Sequence, residues 1–247
     1  MQKELKVTIV TITYNVQSTI ENTLNSVVNQ SYKNIEHIIV DGGSKDGTLE
    51  ICKNFSHIAK IKSEPDKGVY DAFNKGLKLA TGDIIGFLNA DDIFYSNNVI
   101  SEIANSLNPN IDCVYGNLEY VNIKGSVVRN WISRPYKPGL AKKAWMPAHP
   151  TFYCRKEIYE RLGGYNDTFK IAGDFELCLR FLEKHGIKSK HINKKLVKML
   201  VGGISNSGLK SKLTIYKEEL RAFRLNEIKV SPLLFFFYKF KKIVQFF

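Results

Sequence analysis

Apolar positions along the first hundred residues switch repeatedly between strand and helix periods. "VTIVTITYN" (7–15) is β-branched and bounded by a polar turn, which predicts a buried first strand. Ile20, Leu24, Val27 and Val28 then share one helical face, and Ser18 with Glu21 three residues on predicts a capping box at the helix start. "EHIIV" (36–40) is a second strand, followed by the turn "DGGSKDGT" and a helix carrying Leu49, Ile51, Cys52 and Phe55. "AKIKSEPDKG" (59–68) supplies a short third strand and a loop. Val69, Ala72, Phe73, Gly76, Leu77 and Ala80 recur at helical spacing, "DIIGFLN" (83–89) is a fourth strand, and Val99, Ile100, Ile103, Ala104 and Leu107 mark another helix.

This βα alternation implies an α/β fold with a mostly parallel, doubly wound sheet covered on both faces. Ligands bind such sheets outside the carboxyl ends of the strands. Polar clusters sit at those ends: Thr13–Asn15 after the first strand, Asp41 after the second, Asp66 after the third, and Asp91 and Asp92 after the fourth.

Beyond residue 110 the rhythm changes. "CVYGNLEYVNIKGSVVRNWI" predicts a hairpin turning near Lys124–Gly125, and the proline- and aromatic-rich 134–152 predicts a loop. A short helix starts near Lys156 and ends at Gly163–Gly164. "AGDFELCLRFLEKHG" is helical, "KKLVKMLV" strand-like, "GGISNSG" a loop, and Leu209, Leu213, Tyr216, Leu220 and Phe223 mark an amphipathic helix. With no repeat or low-complexity linker, the chain reads as one domain over 1–205, in two halves to about 110 and over 111–205, and an extension over 206–247.

The 247 residues are 44% hydrophobic, which supplies a full core and excludes the disordered class. Lys+Arg 36 against Asp+Glu 24 gives +12, which favours anionic partners such as phosphorylated molecules or an acidic membrane face. No helix-turn-helix, RNA-recognition or zinc pattern is present, so nucleic acid is not expected. Four scattered cysteines without a C-x-x-C pair fit a reducing cytosol. The N-terminus has no signal pattern, and no run of about 18 apolar residues spans a bilayer. "KVSPLLFFFYKFKKIVQFF" (229–247) combines seven aromatics with lysines, which suits an interfacial segment or a helix docked on the domain.

Each candidate residue has a chemical and a structural reading. Asp91 and Asp92 follow an apolar strand and point to opposite sides. One or two carboxylates suffice for a magnesium or manganese ion shared with a diphosphate, and a capped turn is the alternative. Asp41 before two glycines can accept from a base or ribose, or close an Asx-turn. Asp71, Asn74, Lys75 and Lys78 occupy the polar side of a helix. Asp174 suits a helix N-cap or a general base. Trp145 can stack on a sugar or fill the core, and His149 lies in the same loop.

The segments "VTIVTITYN", "IIVDGGSKDGT", "SEPDKGVYDAFNKGLKLATGDIIGFLNADD" and "HPTFYCRKEIYERLGGYNDTFKIAGDFELCLR" together resemble family-2 glycosyltransferases of the GT-A fold over roughly residues 5–185. Bacterial surface-polysaccharide enzymes are the most similar group. The resemblance implies that Thr13, Tyr14, Asn15 and Asp41 hold the base and ribose of a sugar nucleotide, a UDP-sugar most commonly. It implies that Asp66, Lys67, Asp71 and Asn74 line the nucleotide pocket, with Asn89 and Ala90 on the donor side. Asp91 matches the ligand of Mn2+ or Mg2+ in the D-x-D motif, with Asp92 a second candidate. Asp174 matches the base of an inverting displacement, although Gly173 stands where an acidic residue is common. Trp145 and His149 fall on the acceptor side. A glycan or lipid-linked glycan acceptor is implied, with the chain in the cytoplasm, peripheral on the inner face of the membrane through residues 231–247. The alternatives are a sugar-nucleotide nucleotidyltransferase, whose glycine-rich basic loop "TYNVQST" lacks, and a non-catalytic nucleotide- or sugar-binding protein.

Overall fold

A computed structural model describes residues 4–202 and 208–244. In chain order the elements of the first part are β1 (Val7–Thr13), α1 (Ile20–Val28), β2 (Ile35–Asp41), α2 (Thr48–Lys53), β3 (Ile58–Ser63), α3 (Val69–Leu79), β4 (Ile84–Phe87), β5 (Ile93–Phe94) and α4 (Val99–Ser106). The hairpin β6 (Cys113–Val121) and β7 (Val127–Trp131) follows, then β8 (Tyr153–Arg155), α5 (Lys156–Leu162), α6 (Gly173–Cys178), β9 (Ser189–Leu200), α7 (Gly208–Leu225) and α8 (Pro232–Val244). The "GGISNSG" loop lies largely outside the described residues.

One sheet runs in the order β3-β2-β1-β4-β8-β6-β9-β5, with β7 paired to β6 at the side. The first four of these strands are parallel, each covered by its crossover helix. β8 enters antiparallel to both β4 and β6 and joins this half to the rest, while β6 and β9 are again parallel. The sheet is therefore mixed, and the expected α/β architecture holds.

The apolar stripes face the core as their periods require. Val10, Phe73, Phe87, Phe152 and Phe181 belong to one buried cluster, and Ile9, Ile84, Ile100, Leu118 and Val197 to another on the opposite face. Gly76 in α3 is needed for this approach, because a Cβ there would come within 2.3 Å of Val10 Cγ1. The extension belongs to the same core: Ala222, Phe223 and Phe235 are fully buried within the first cluster.

Three local features differ from the sequence expectation. The capping box at Ser18 does not form; α1 starts after Thr19, without a side-chain cap. β4 stops at Phe87, so Asn89 belongs to a turn closed by the Asp92 N–H donating to the Asn89 carbonyl. β5, two residues long, pairs with β9, and a strand that short has no readable period.

Candidate active site

The ends of β1, β2 and β3 converge. The Gly42 N–H donates to the Thr13 carbonyl at 2.8 Å and the Glu64 N–H to the Asp41 carbonyl at 3.0 Å. Asp41 is fully buried and accepts five hydrogen bonds, from Thr13 Oγ1, Gly43 N, Ser44 N, Ser44 Oγ and Ser63 Oγ. Burial works against its charge, but the bonds from Ser44 and Ser63 outweigh it, and its pKa is lowered. In this conformation Asp41 organises the rim, and contact with a ligand requires it to release a donor.

Asn15 adopts a left-handed backbone (φ 50) and accepts from the Lys45 N–H, which joins the loop after β1 to the loop after β2. Tyr14 stands 63% exposed beside them. Gly42 lies under this surface, where a Cβ would meet Asp66 Oδ2 at 2.8 Å and Tyr14 Cδ2 at 3.4 Å. Thr13, Tyr14, Gly42 and Asp66 thus lie together at the rim.

Asp66 is 2.5 Å from Lys75 Nζ, which also reaches Glu64 and Asp71 at 3.3 Å. Asp71 accepts the Lys67 N–H at 3.0 Å, and the Lys67 side chain is exposed. Asn74 is engaged by the backbone. Its amide donates to the Tyr165 carbonyl at 2.8 Å and accepts the Tyr165 N–H at 2.9 Å, so both ends are spent on the backbone. The Ala90 side chain packs with Ile20, Leu24, Ile39 and Cys52.

The two adjacent acids differ sharply. Asp91 is partly exposed, and Asp92 is fully buried with Oδ2 accepting from the Asn89 amide at 3.0 Å. Asp92 Oδ1 is buried with no hydrogen-bond partner. Burial raises the pKa of Asp91, and burial together with the Asp91 charge raises that of Asp92 further. An orphaned buried carboxylate oxygen beside a second acid fits a divalent cation, whose charge would relieve both. Among the described residues no group of three or more His, Cys, Asp or Glu side chains gathers. A cation held here would therefore complete its shell with ligand oxygens and water.

Asp174 is the second residue of α6, not its N-cap, which is Ala172. Its Oδ1 accepts from the Phe175 N–H at 2.8 Å, with the Tyr70 hydroxyl at 3.5 Å. Burial pushes its pKa up to about 6, against the lowering effect of the Phe175 N–H. A carboxyl with that value holds its proton weakly near neutrality and can exchange it with a hydroxyl.

Three participants were missed in the sequence. Tyr120 on β6 is near both acidic centres: burial raises its pKa, the charges of Asp92 and Asp174 raise it further, and Arg129, 5.2 Å over its ring, works against them. Tyr70 donates to the Ile171 carbonyl at 2.5 Å. Glu218 on α7 accepts the N–H groups of Lys170, Ile171 and Ala172 at 2.8, 2.9 and 2.9 Å, and so fixes the segment entering Asp174. Only the strand alternation around Tyr120 was legible, and nothing in the sequence marked Glu218.

Trp145 and His149, expected on the acceptor side, are both buried. Trp145 is buried edge-on to Tyr115. His149 is buried against Phe73 and Phe87, with Nε2 2.6 Å from the Tyr165 hydroxyl, and burial lowers its pKa to about 4. It is a neutral core histidine that supports the loop of Asp174 from beneath.

A sequence model described as Glycosyl transferase family 2 matches residues 8–172. An Escherichia coli protein named UDP-Glc:alpha-D-GlcNAc-diphosphoundecaprenol beta-1,3-glucosyltransferase WfgD is 36% identical over 187 residues, 74% of this chain and 72% of that one. A Mycobacterium bovis PGL/p-HBAD biosynthesis glycosyltransferase is 28% identical over 202 residues, 79% and 77% of the two chains. Among solved structures, S. aureus TarS 1–349 with UDP-GlcNAc superposes with a TM-score of 0.72 at 17% identity, covering 94% of this chain and 69% of that one. Against a longer TarS chain the share falls to 43% of that chain. The mannosyltransferase PcManGT from Pyrobaculum calidifontis, in complex with GDP-Man and Mn2+, gives a TM-score of 0.68 at 18% identity, covering 95% and 69%. At these identities the structural likeness establishes the GT-A fold, and the nucleotidyltransferase alternative gives way to the family match. With its match running from β1 to the residue before α6, this chain belongs to glycosyl transferase family 2.

Proposed function

We propose that the chain is an inverting transferase that moves a sugar from a uridine diphosphate sugar to a hydroxyl of a lipid-diphosphate-linked glycan, at the inner face of a membrane. The observation that carries this reading is a pair of carboxylate centres of different character. One is Asp91 with buried Asp92, whose Oδ1 has no hydrogen-bond partner; the other is Asp174 at the start of α6, with a pKa of about 6. An in-line displacement needs that arrangement: leaving-group stabilisation on one side of the sugar and a base on the other.

In this mechanism the rim of Thr13, Tyr14, Asn15 and Gly42 binds the nucleoside, with Asp41 and Asp66 setting its shape. Asp91, with Asp92 behind it, would hold Mn2+ or Mg2+, which when bound supplies Lewis-acid stabilisation of the departing diphosphate. Asn89 keeps Asp92 oriented through its amide, which refines the expectation that it touches the donor. Asp174 takes the proton from the acceptor hydroxyl as that oxygen attacks the anomeric carbon, and the carbon inverts. Tyr120, near both centres, forms a wall against which the reacting sugar lies. The uridine donor and diphosphate-linked acceptor are supported by the name of the E. coli relative and by the UDP-GlcNAc bound to TarS.

Thermal-shift titration tests this. UDP and UDP-sugars should raise Tm in the presence of Mn2+, approaching about 2.7 kcal/mol of stabilisation at a hundredfold excess over Kd, and much less with EDTA. A protein that responds to no nucleotide, with or without the metal, has no donor site.

A further inference from the structure

Helix α8 is docked on the domain in reverse. Its buried contact is essentially one residue: Phe235 is fully buried against Phe175, Tyr216 and Phe223, with ring centroids 6.3, 6.1 and 5.2 Å apart. Lys239 adds an ion pair with Glu219, and the Tyr216 hydroxyl donates to the Pro232 carbonyl at 2.9 Å. Most of its other described apolar side chains face out. Leu233, Leu234, Phe236, Phe237 and Phe240 are between 52% and 70% exposed. At about 100° per residue, Phe236, Phe240, Leu233 and Phe237 fall within one arc about 100° wide, on the side away from Phe235. A helix that stabilised only the fold would turn that arc inward. Leu213 on α7, 60% exposed, adds to the apolar surface of the extension.

The charge around this arc has one sign. Residues 228–247 contain four lysines (229, 239, 241 and 242) and no acid. Lys229 and Lys241 are exposed. Beside Pro232 opens a groove of about 660 Å³ lined by Leu220, Phe223, Ile228 and Val230, with Arg224, Lys229 and Glu227 also on it. No helix among the described residues is long and apolar enough to cross a membrane. An outward aromatic arc flanked by the exposed Lys229 and Lys241 matches an anionic lipid surface, which takes the rings at the acyl boundary and the ammonium groups at the headgroups.

We propose that α8 is an in-plane docking helix for an anionic bilayer, and that it brings the Asp174 side of the site to that surface. The coupling is short. Phe235 packs on Phe175, the neighbour of Asp174, and Glu218 on α7 holds residues 170–172. An acceptor carried by a membrane lipid would thus meet the base on the face of the molecule that docks. This last step rests on the transferase reading; the docking does not.

The test is co-sedimentation of the full chain with vesicles of phosphatidylcholine alone and of an equal phosphatidylcholine–phosphatidylglycerol mixture. Binding to the mixture should exceed binding to phosphatidylcholine, and raised salt should weaken it. The combined variant Leu233→Ser, Phe236→Ser, Phe237→Ser, Phe240→Ser keeps Phe235. It should lower partitioning by about a hundredfold or more with an unchanged Tm and unchanged Mn2+-dependent UDP binding. Lys241→Glu alone should lower it by about fivefold or more. Wild-type protein that ignores anionic vesicles, or a serine variant that binds them as well as wild type, overturns the proposal. A wild-type dimer that the serine variant dissolves also overturns it, by assigning the arc to a second copy. Vesicle binding without any nucleotide response would leave the docking standing and remove the transferase reading instead.

Discussion

At the donor rim, Asp41 takes its hydrogen bonds from Thr13, 28 positions earlier on the neighbouring strand, and from residues within 22 positions after it. The loop that presents Asp174 is held differently. Asn74 reaches it across 91 positions, Tyr70 across 101, and Glu218 from 46–48 positions further on. The rim is a product of parallel strand ends and their own turns, whereas the base loop is suspended between α3 and an extension beyond the family match. A rim built from its own strands keeps its shape as long as the sheet stands. A suspended loop can be loosened, or tuned, from elsewhere.

The largest effect should separate the two acidic centres. Asp91→Ala should cut transfer by at least about a thousandfold, since it removes the exposed member of the proposed metal pair. Calorimetric titration of UDP should lose its Mn2+ dependence in this variant, while metal-free binding to the rim stays as it was. If transfer persists in EDTA, the acids at residues 91 and 92 serve only the turn.

Asp174→Asn should lower turnover by on the order of 10²–10³ with donor affinity unchanged. It should also stabilise the fold. The folded pKa, about 6, lies above the ordinary aspartate value of 3.8, so stability falls as pH rises from about 3.8 to about 6, and the native state carries the full cost of the buried charge above that. Removing that charge should raise stability at pH 8 by on the order of 1–2 kcal/mol, read as a higher Tm. A variant that is less stable and fully active would make Asp174 a structural residue. In the wild type, kcat should rise with pH through about 6 as the base ionises.

Glu218→Gln sharpens the comparison because it touches only the suspended loop. Three N–H groups would lose a charged acceptor, and kcat should fall about tenfold with donor KM unmoved. The Glu218 charge raises the Asp174 pKa, so the acid limb of kcat should move to lower pH. A structural role alone would lower Tm without moving that limb.

The legible part of the molecule follows the same division. Strand ends at Thr13, Asp41, Asp66 and Asp91 could be read because an apolar run that stops at a polar residue marks the rim directly. The βα alternation gave the parallel half of the sheet for the same reason. The partners of Asn74 and His149 were not legible, because type and position in the chain do not reveal them. Asn74 spends its amide on a backbone 91 positions away, and His149 is enclosed by Phe73, Phe87 and Tyr165 from three segments. Glu218 carried no signal at all, since a glutamate on an amphipathic helix reads as a solvated face.

The smallest expected effect tests whether acid acts on the rim side separately from the loop. His37 on β2 is fully buried, 3.0 Å from Thr11 Oγ1 on one side and 3.0 Å from His57 on the other. Burial lowers its pKa to about 3, with His57 adding to the effect, and burial lowers that of His57 as well. His37 therefore stays neutral in the native state, and His57 charges less readily than a free imidazole, while an unfolded chain takes up protons below about pH 6.5, so stability should fall as pH drops from there towards 3. That window overlaps the kcat limb of Asp174, and the two must be told apart. His57→Gln removes one titrating ring and the repulsion it exerts on the other, so the loss of stability between pH 6 and 5 should shrink by roughly 1 kcal/mol. Melting curves at the two pH values would read it. The kcat limb should stay at about 6, because nothing in the His37–His57 pair touches the base loop. A limb that moved with His57 would mean that the two regions share one acid-sensitive equilibrium, and the contrast between a self-built rim and a suspended loop would fail.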